Sequence, residues 1–181
     1  MRIIGGKYRS RVLAEFAGTD VRPTADRVKE SLFNILGVRT IGARALDVFC
    51  GSGALGIECL SRGAKECVFN DVRKESVALL KKNLQKLGVG SEAKTYNLDF
   101  RTLLSSVAGE FDLIFLDPPY KENFAFEGLE IIAKRKLLAS GGVAVSERDR
   151  PFEGEITGLE QFDERKYGKT YLTFFRVKGD E

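Results

Sequence analysis

Residues 46–64 read LDVFCGSGALGIECLSRGA. A short apolar run carrying one acid, Asp47, passes through Gly51, Ser52 and Gly53 into a segment of helical character, and Gly56 completes a G-x-G-x-x-G spacing. Strand, glycine turn and helix in that order form a place where bare backbone can approach a ligand closely. The spacing alone also fits a tight strand-to-helix turn with no ligand, so the flanking sequence has to decide.

Working outward, apolar strands alternate with helical segments from residue 43 onward. The strands are RALDVF (44–49), ECVFND (66–71), KTYNLD (94–99), FDLIFLD (111–117) and GVAVSE (142–147). The clearest helix between them is RKESVALLKKNLQKLG, where Val77, Leu80, Leu84 and Leu87 share one face and Gly88 supplies the stop. This alternation predicts an α/β fold, a Rossmann-like and mostly parallel sheet with helices on both faces. The tail LEQFDERKYGKTYLTFFRV reads as two strands joined around Tyr167 and Gly168, an antiparallel hairpin on one edge. Before the sheet, RPTADRVKESLFNILG predicts a helix entered at Pro23 and Thr24 and ended by Gly37, with Val28, Leu32, Ile35 and Leu36 on one face.

A chain of 181 residues, 43% hydrophobic and 30% charged, suits one well-buried core. It contains no histidine, which excludes Ser-His-Asp and Cys-His catalysis and the ordinary histidine zinc sites. Cys50, Cys59 and Cys67 form no CxxC pair and read as reduced, buried residues. No apolar run is long enough to span a bilayer and MRIIGGKYRSR lacks a signal peptide's apolar stretch, so a cytoplasmic protein is expected, with no membrane partner and no metal. The net charge of +3 says little, but residues 1–11, MRIIGGKYRSR, hold Arg2, Lys7, Arg9 and Arg11 with no acid. Such a segment suits phosphate contacts as well as simple solvation.

In open α/β sheets ligands bind beyond the carboxyl ends of the strands. Asp47, Asp71, Asp99 and Asp117 all lie in or just after predicted strands and should therefore converge on one crevice. Asp71, 20 residues after Gly51, is placed to accept the hydroxyls of a ribose, a feature shared by NAD and S-adenosylmethionine (AdoMet) sites. Asp47 shifts the balance to AdoMet, whose ammonium and sulfonium charges favour a carboxylate that would oppose a pyrophosphate.

The stretch FDLIFLDPPY (111–120) carries the chemistry. A nucleobase amine is a poor nucleophile because its lone pair is delocalised into the ring. A carboxylate on Asp117 and the carbonyl of Pro118 can accept both amine protons, leaving the lone pair aimed at an electrophile. Pro118 and Pro119 fix φ and remove competing N–H donors, and Tyr120 offers a face for an unstacked base. The same chemistry would suit another amine, adenine N6 of DNA or the side-chain amide of a protein glutamine. An RNA-binding module without catalysis and an NAD-dependent enzyme are the readings from other classes.

Taken together, MRIIGGKYRSR, RPTADRVKESLFNIL, LDVFCGSGALGIECLSRGA, FDLIFLDPPY and RKYGKTYLTFF resemble the bacterial 16S ribosomal RNA guanine-N2 methyltransferase family, over nearly the whole chain. The resemblance implies a class I AdoMet-dependent methyltransferase with a seven-stranded sheet, and a division into an RNA-contacting extension (1–37) and a methyltransferase domain (38–181). It implies a cofactor site of Asp47, Phe49, Gly51, Ser52, Gly53, Asp71, Val72, Asp99 and Phe100, and a catalytic set of Asp117, Pro118, Pro119 and Tyr120. RNA would be held by Arg2, Lys7, Arg9, Arg11, Arg22, Thr24 and Arg27. The implied partner is 16S ribosomal RNA or a small-subunit assembly intermediate, with the protein acting as a monomer. Cys50, where the family usually has alanine, and Asp71, where it more often has glutamate, are departures that leave the amine site untouched.

Overall fold

The computed structural model describes residues 1–16, 23–119 and 123–180. After an N-terminal segment come α1 (Pro23–Leu36), a 3-10 turn (Gly37–Thr40), β1 (Arg44–Asp47), α2 (Ala54–Ser61), β2 (Glu66–Asn70), α3 (Lys74–Leu87) and β3 (Ala93–Tyr96). The chain continues through α4 (Phe100–Ser106), β4 (Phe111–Leu116), α5 (Phe124–Arg135), β5 (Leu138–Arg148), β6 (Leu159–Tyr167) and β7 (Thr170–Val177).

The seven strands form one sheet in the order β3-β2-β1-β4-β5-β7-β6. The pairs among β1 to β5 are parallel, and β7 runs antiparallel to both β5 and β6. The hairpin turn falls at Gly168 and Lys169, one residue beyond the expected place, and β7 rather than β6 is the strand that joins the sheet.

Successive strand residues point to opposite faces, so one strand feeds two cores. Ala45, Cys67, Phe69, Leu113 and Phe115 pack with α1, α2 and α3 on one face. Leu46, Val68, Ile114 and Leu116 pack with α4 and α5 on the other. This double burial is why β4 reads FDLIFL, an almost unbroken apolar run, rather than alternating with polar residues. Ile3 and Leu13 of the N-terminal segment, with Val28, Leu32 and Phe33 of α1, belong to the first of these cores. The extension is therefore part of the same packed body.

Two glycines of the 46–64 stretch have structural reasons. Gly53 caps α2 with φ +89°, a left-handed conformation that L side chains rarely adopt. A Cβ on Gly56 would lie 2.3 Å from a ring carbon of Phe69 and 2.7 Å from the Cys67 sulfur, so its absence lets α2 lie close on β2.

The first four strands end earlier than the sequence pattern suggests. Val48 still donates to Phe115 O at 3.1 Å, but beyond Asp47, Asn70, Tyr96 and Leu116 the ladder gives way to loops. These loops form the rim of a cleft.

Candidate active site

The cleft is a cavity of about 510 Å³ at the carboxyl ends of β1, β2, β3 and β4. Asp47, Asp71, Asp99 and Asp117 all line it, as the strand-end argument requires. Around them stand Phe49, Gly51, Ser52, Val72, Phe100, Pro118 and Pro119. Gly53, expected at the cofactor, does not line the cavity: its position is buried, and an added Cβ would meet Leu80 at 2.4 Å. The turn conformation and the packing each call for glycine at this position.

Each acid is held differently. Asp47 is 1% exposed and accepts the backbone N–H of Gly56 at 3.0 Å. Burial, with the nearby Asp71 charge and against that hydrogen bond, lifts its carboxyl from 3.8 to about 7. Asp71 ties the glycine turn to β2: it accepts from Gly51 N at 3.0 Å and from Arg73 N at 2.9 Å, and the Arg73 guanidinium lies 3.7 Å away. Asp99 caps α4 by accepting from Arg101 N at 2.9 Å and keeps a well-exposed carboxylate. Asp117 keeps some surface open to the cleft, yet it is crowded enough by protein that burial, Glu147 and Asp47 push its carboxyl well above the usual range.

Several lining residues escaped sequence reading. Asn70 is buried and latches three strand ends: its amide donates to Val48 O at 3.2 Å and Leu98 O at 3.0 Å, and accepts from Leu98 N at 3.1 Å. Phe124 completes a cluster with Phe49 and Phe100, ring centres 5.1 to 6.4 Å apart, against which a planar adenine could rest. Arg101 lies 4.4 Å over Phe100 and 5.2 Å over Phe124. Met1 also lines the cavity, which brings the N-terminal segment to its edge. None of these carries a local motif, and the only available signal was the aromatic character of Phe124.

Arg2, Arg9 and Arg27 share a second cavity of about 500 Å³ with Ile3, Ile4, Ser10, Asp26 and Glu30. Among the described residues these three arginines form no ion pair. Lys7 and Arg11 do not line that cavity, and Lys7 stands 3.8 Å from Glu92. Thr24 lies in the first turn of α1. Arg22 and Tyr120 fall outside the described residues. The three cysteines are free and buried, and burial raises each thiol. Among the described residues there is neither a group of metal-ligating side chains nor a helix long and apolar enough to cross a membrane.

A family model described as Conserved hypothetical protein 95 matches residues 1–176. The chain belongs to this family. It is 40% identical to the Bacillus subtilis (strain 168) protein YlbH, provisionally named an rRNA methyltransferase, over 99% of this chain and 100% of that protein. It is 38% identical to Ribosomal RNA small subunit methyltransferase D of Haemophilus influenzae, over 83% of this chain and 81% of the relative. Among solved structures, the yhhF protein of Escherichia coli superimposes with a TM-score of 0.88 at 30% identity, covering 98% of this chain and 97% of that one. The resemblance drawn from the motifs is borne out, and the fold is that of the class I methyltransferases.

Proposed function

We propose that this chain transfers a methyl group from AdoMet to the exocyclic N2 amine of a guanine in small-subunit ribosomal RNA. The observation that carries the reading is the meeting of four strand-end carboxylates with the Pro118–Pro119 pair in one cavity. Relatives named as ribosomal RNA small subunit methyltransferases support the RNA as substrate.

The cavity fits the cofactor chemically. Its acids match a ligand carrying ammonium and sulfonium charges, and they oppose a dinucleotide pyrophosphate. A Cβ on Gly51 would meet nothing within 4 Å, so the turn leaves space on that side for a ligand, and its φ of +52° suits glycine. When bound, AdoMet supplies an electrophilic methyl group. Asp71 would hold the ribose, Asp99 and the Phe49, Phe100 and Phe124 rings the adenine, and Asp47 the positive charge of the methionine portion.

On the substrate side, Asp117 accepts one amine proton and the Pro118 carbonyl the other, drawing the nitrogen toward tetrahedral geometry. Proline at 118 and 119 holds these acceptors in place beforehand. Tyr120 is assigned to stack the unstacked base, and Arg2, Lys7, Arg9, Arg11, Arg22, Thr24 and Arg27 to contact the flanking RNA.

The test is Asp117→Asn, which keeps the shape of the side chain but replaces the carboxyl group with an amide. Calorimetry should give AdoMet binding within a few fold of native, while methyl transfer to small ribosomal subunits or 16S RNA falls by about 100-fold or more. Unchanged transfer would remove Asp117 from the reaction. Mass analysis of the product nucleoside should give N2-methylguanosine, and duplex DNA as the best acceptor would overturn the RNA assignment.

A further inference from the structure

Asn83, on α3, is 1% exposed and spends its whole amide on two other parts of the chain. Its Oδ1 accepts from Ala14 N at 2.7 Å, and its Nδ2 donates to Ala14 O at 3.1 Å and to Ser52 O at 2.9 Å. Both donors of the side chain are thereby used. Ala14 belongs to the N-terminal segment, and Ser52 to the glycine turn that lines the cavity. One buried side chain therefore clamps the segment to the turn.

On the N-terminal side of the clamp the segment is hydrogen-bonded to itself and to α2. Arg2 and Val12 form an antiparallel bridge, Ile3 N donates to Arg11 O at 2.9 Å, and Leu13 N donates to Met1 O at 3.0 Å. At the far end of α2, the fully buried Glu58 accepts from Ile4 N at 2.9 Å and Gly5 N at 2.8 Å. The exposed Arg73, beside Asp71, also lies over Phe16 of the segment at 5.1 Å. The Asn83 side chain is itself buried, which shields its end of these hydrogen bonds from water.

We propose that Asn83 is a positioning residue that makes the basic segment and the cofactor turn one rigid unit, so that RNA and cofactor bind with positive cooperativity. The inference rests on the AdoMet and RNA reading given above. A ligand that orders the segment also orders Ser52, and the second ligand then meets a turn already in place.

The experiment is a binding cycle with the full chain at fixed salt. The affinity for a 16S ribosomal RNA transcript is measured by filter binding with and without saturating S-adenosylhomocysteine (AdoHcy), which cannot react. Native protein should bind RNA roughly fivefold or more tightly when the cofactor site is filled. Asn83→Ala, which deletes the amide, and Asn83→Asp, which keeps its shape but offers no donors, should each bring that factor to within twofold of one. Asp180→Ala, at the opposite edge of the sheet, should keep it. A merely structural asparagine would lower the melting temperature and both affinities without moving the ratio.

A native factor below two overturns the inference even if the Asn83 variants fail to fold. Folded variants that retain the native factor overturn it as well. A chain that binds both ligands independently leaves the methyl-transfer reading standing. A chain that transfers no methyl to RNA refutes that reading, while the binding cycle still decides this one.

Discussion

Replacing Asp47 with asparagine should stabilise the free protein while weakening its preference for the charged cofactor. Among the described residues the carboxylate, 1% exposed, has one hydrogen bond, from Gly56 N. An asparagine oxygen can accept the same bond, so Asp47→Asn removes the charge with little change in packing. Burial lifts the carboxyl from 3.8 to about 7, and each tenfold change in proton affinity is worth about 1.4 kcal/mol, which puts the cost of the ionised form at about 4 kcal/mol. The sign follows from a folded pKa above the unfolded one. Below about pH 4 the group is protonated in both states and costs nothing. Native stability is then lost as pH rises from about 4 to 7, and the loss is constant above that. Urea unfolding should therefore show the asparagine variant equal to native near pH 4 and more stable by about 2 to 4 kcal/mol at pH 8, the lower figure allowing for relaxation around the charge. Calorimetry on the same protein should show a smaller ratio of AdoMet to AdoHcy affinity, since only AdoMet carries the sulfonium charge. A variant no more stable than native at pH 8, or one with an equal gain at both pH values, would refute the reasoning.

Glu58→Ala removes the acceptor for two backbone N–H groups and leaves Lys29, 3% exposed and 3.4 Å from the lost carboxylate, without its counter-charge; chemical denaturation should show a loss of about 3 to 5 kcal/mol. Because burial already lowers the Lys29 pKa and Glu58 opposes that, the ammonium of this variant should lose its proton at lower pH, which NMR titration of the lysine side chain would detect. Gly56→Ala must fit a methyl group 2.3 Å from the Phe69 ring, and the overpacking should cost about 1 to 3 kcal/mol, read as a lower melting temperature. Arg9→Ala and Arg27→Ala should each weaken RNA binding and flatten its dependence on log salt by roughly one unit, and an unaltered slope would place the phosphates elsewhere.

The alternation of short apolar strands with helical faces made the parallel sheet legible, because burial on both faces writes itself into β4 as FDLIFL. The convergence of Asp47, Asp71, Asp99 and Asp117 was legible too, since parallel strands present their carboxyl ends on one side of the sheet. At Gly53 spacing could not say which way the residue faces, and the structure places Leu80 where a side chain would go.

By itself, then, the sequence determined the layers, the order of elements and the carboxylate-bearing rim, all of which follow from periodicity and chain direction. Only the tertiary structure decided that Asn70 would latch three strand ends and that Asn83 would tie Ala14 to Ser52, 69 and 31 residues away. A buried asparagine on a helix looks in sequence like any solvated one. Its partners are backbone groups, which every residue possesses, so no pattern of side chains can announce them.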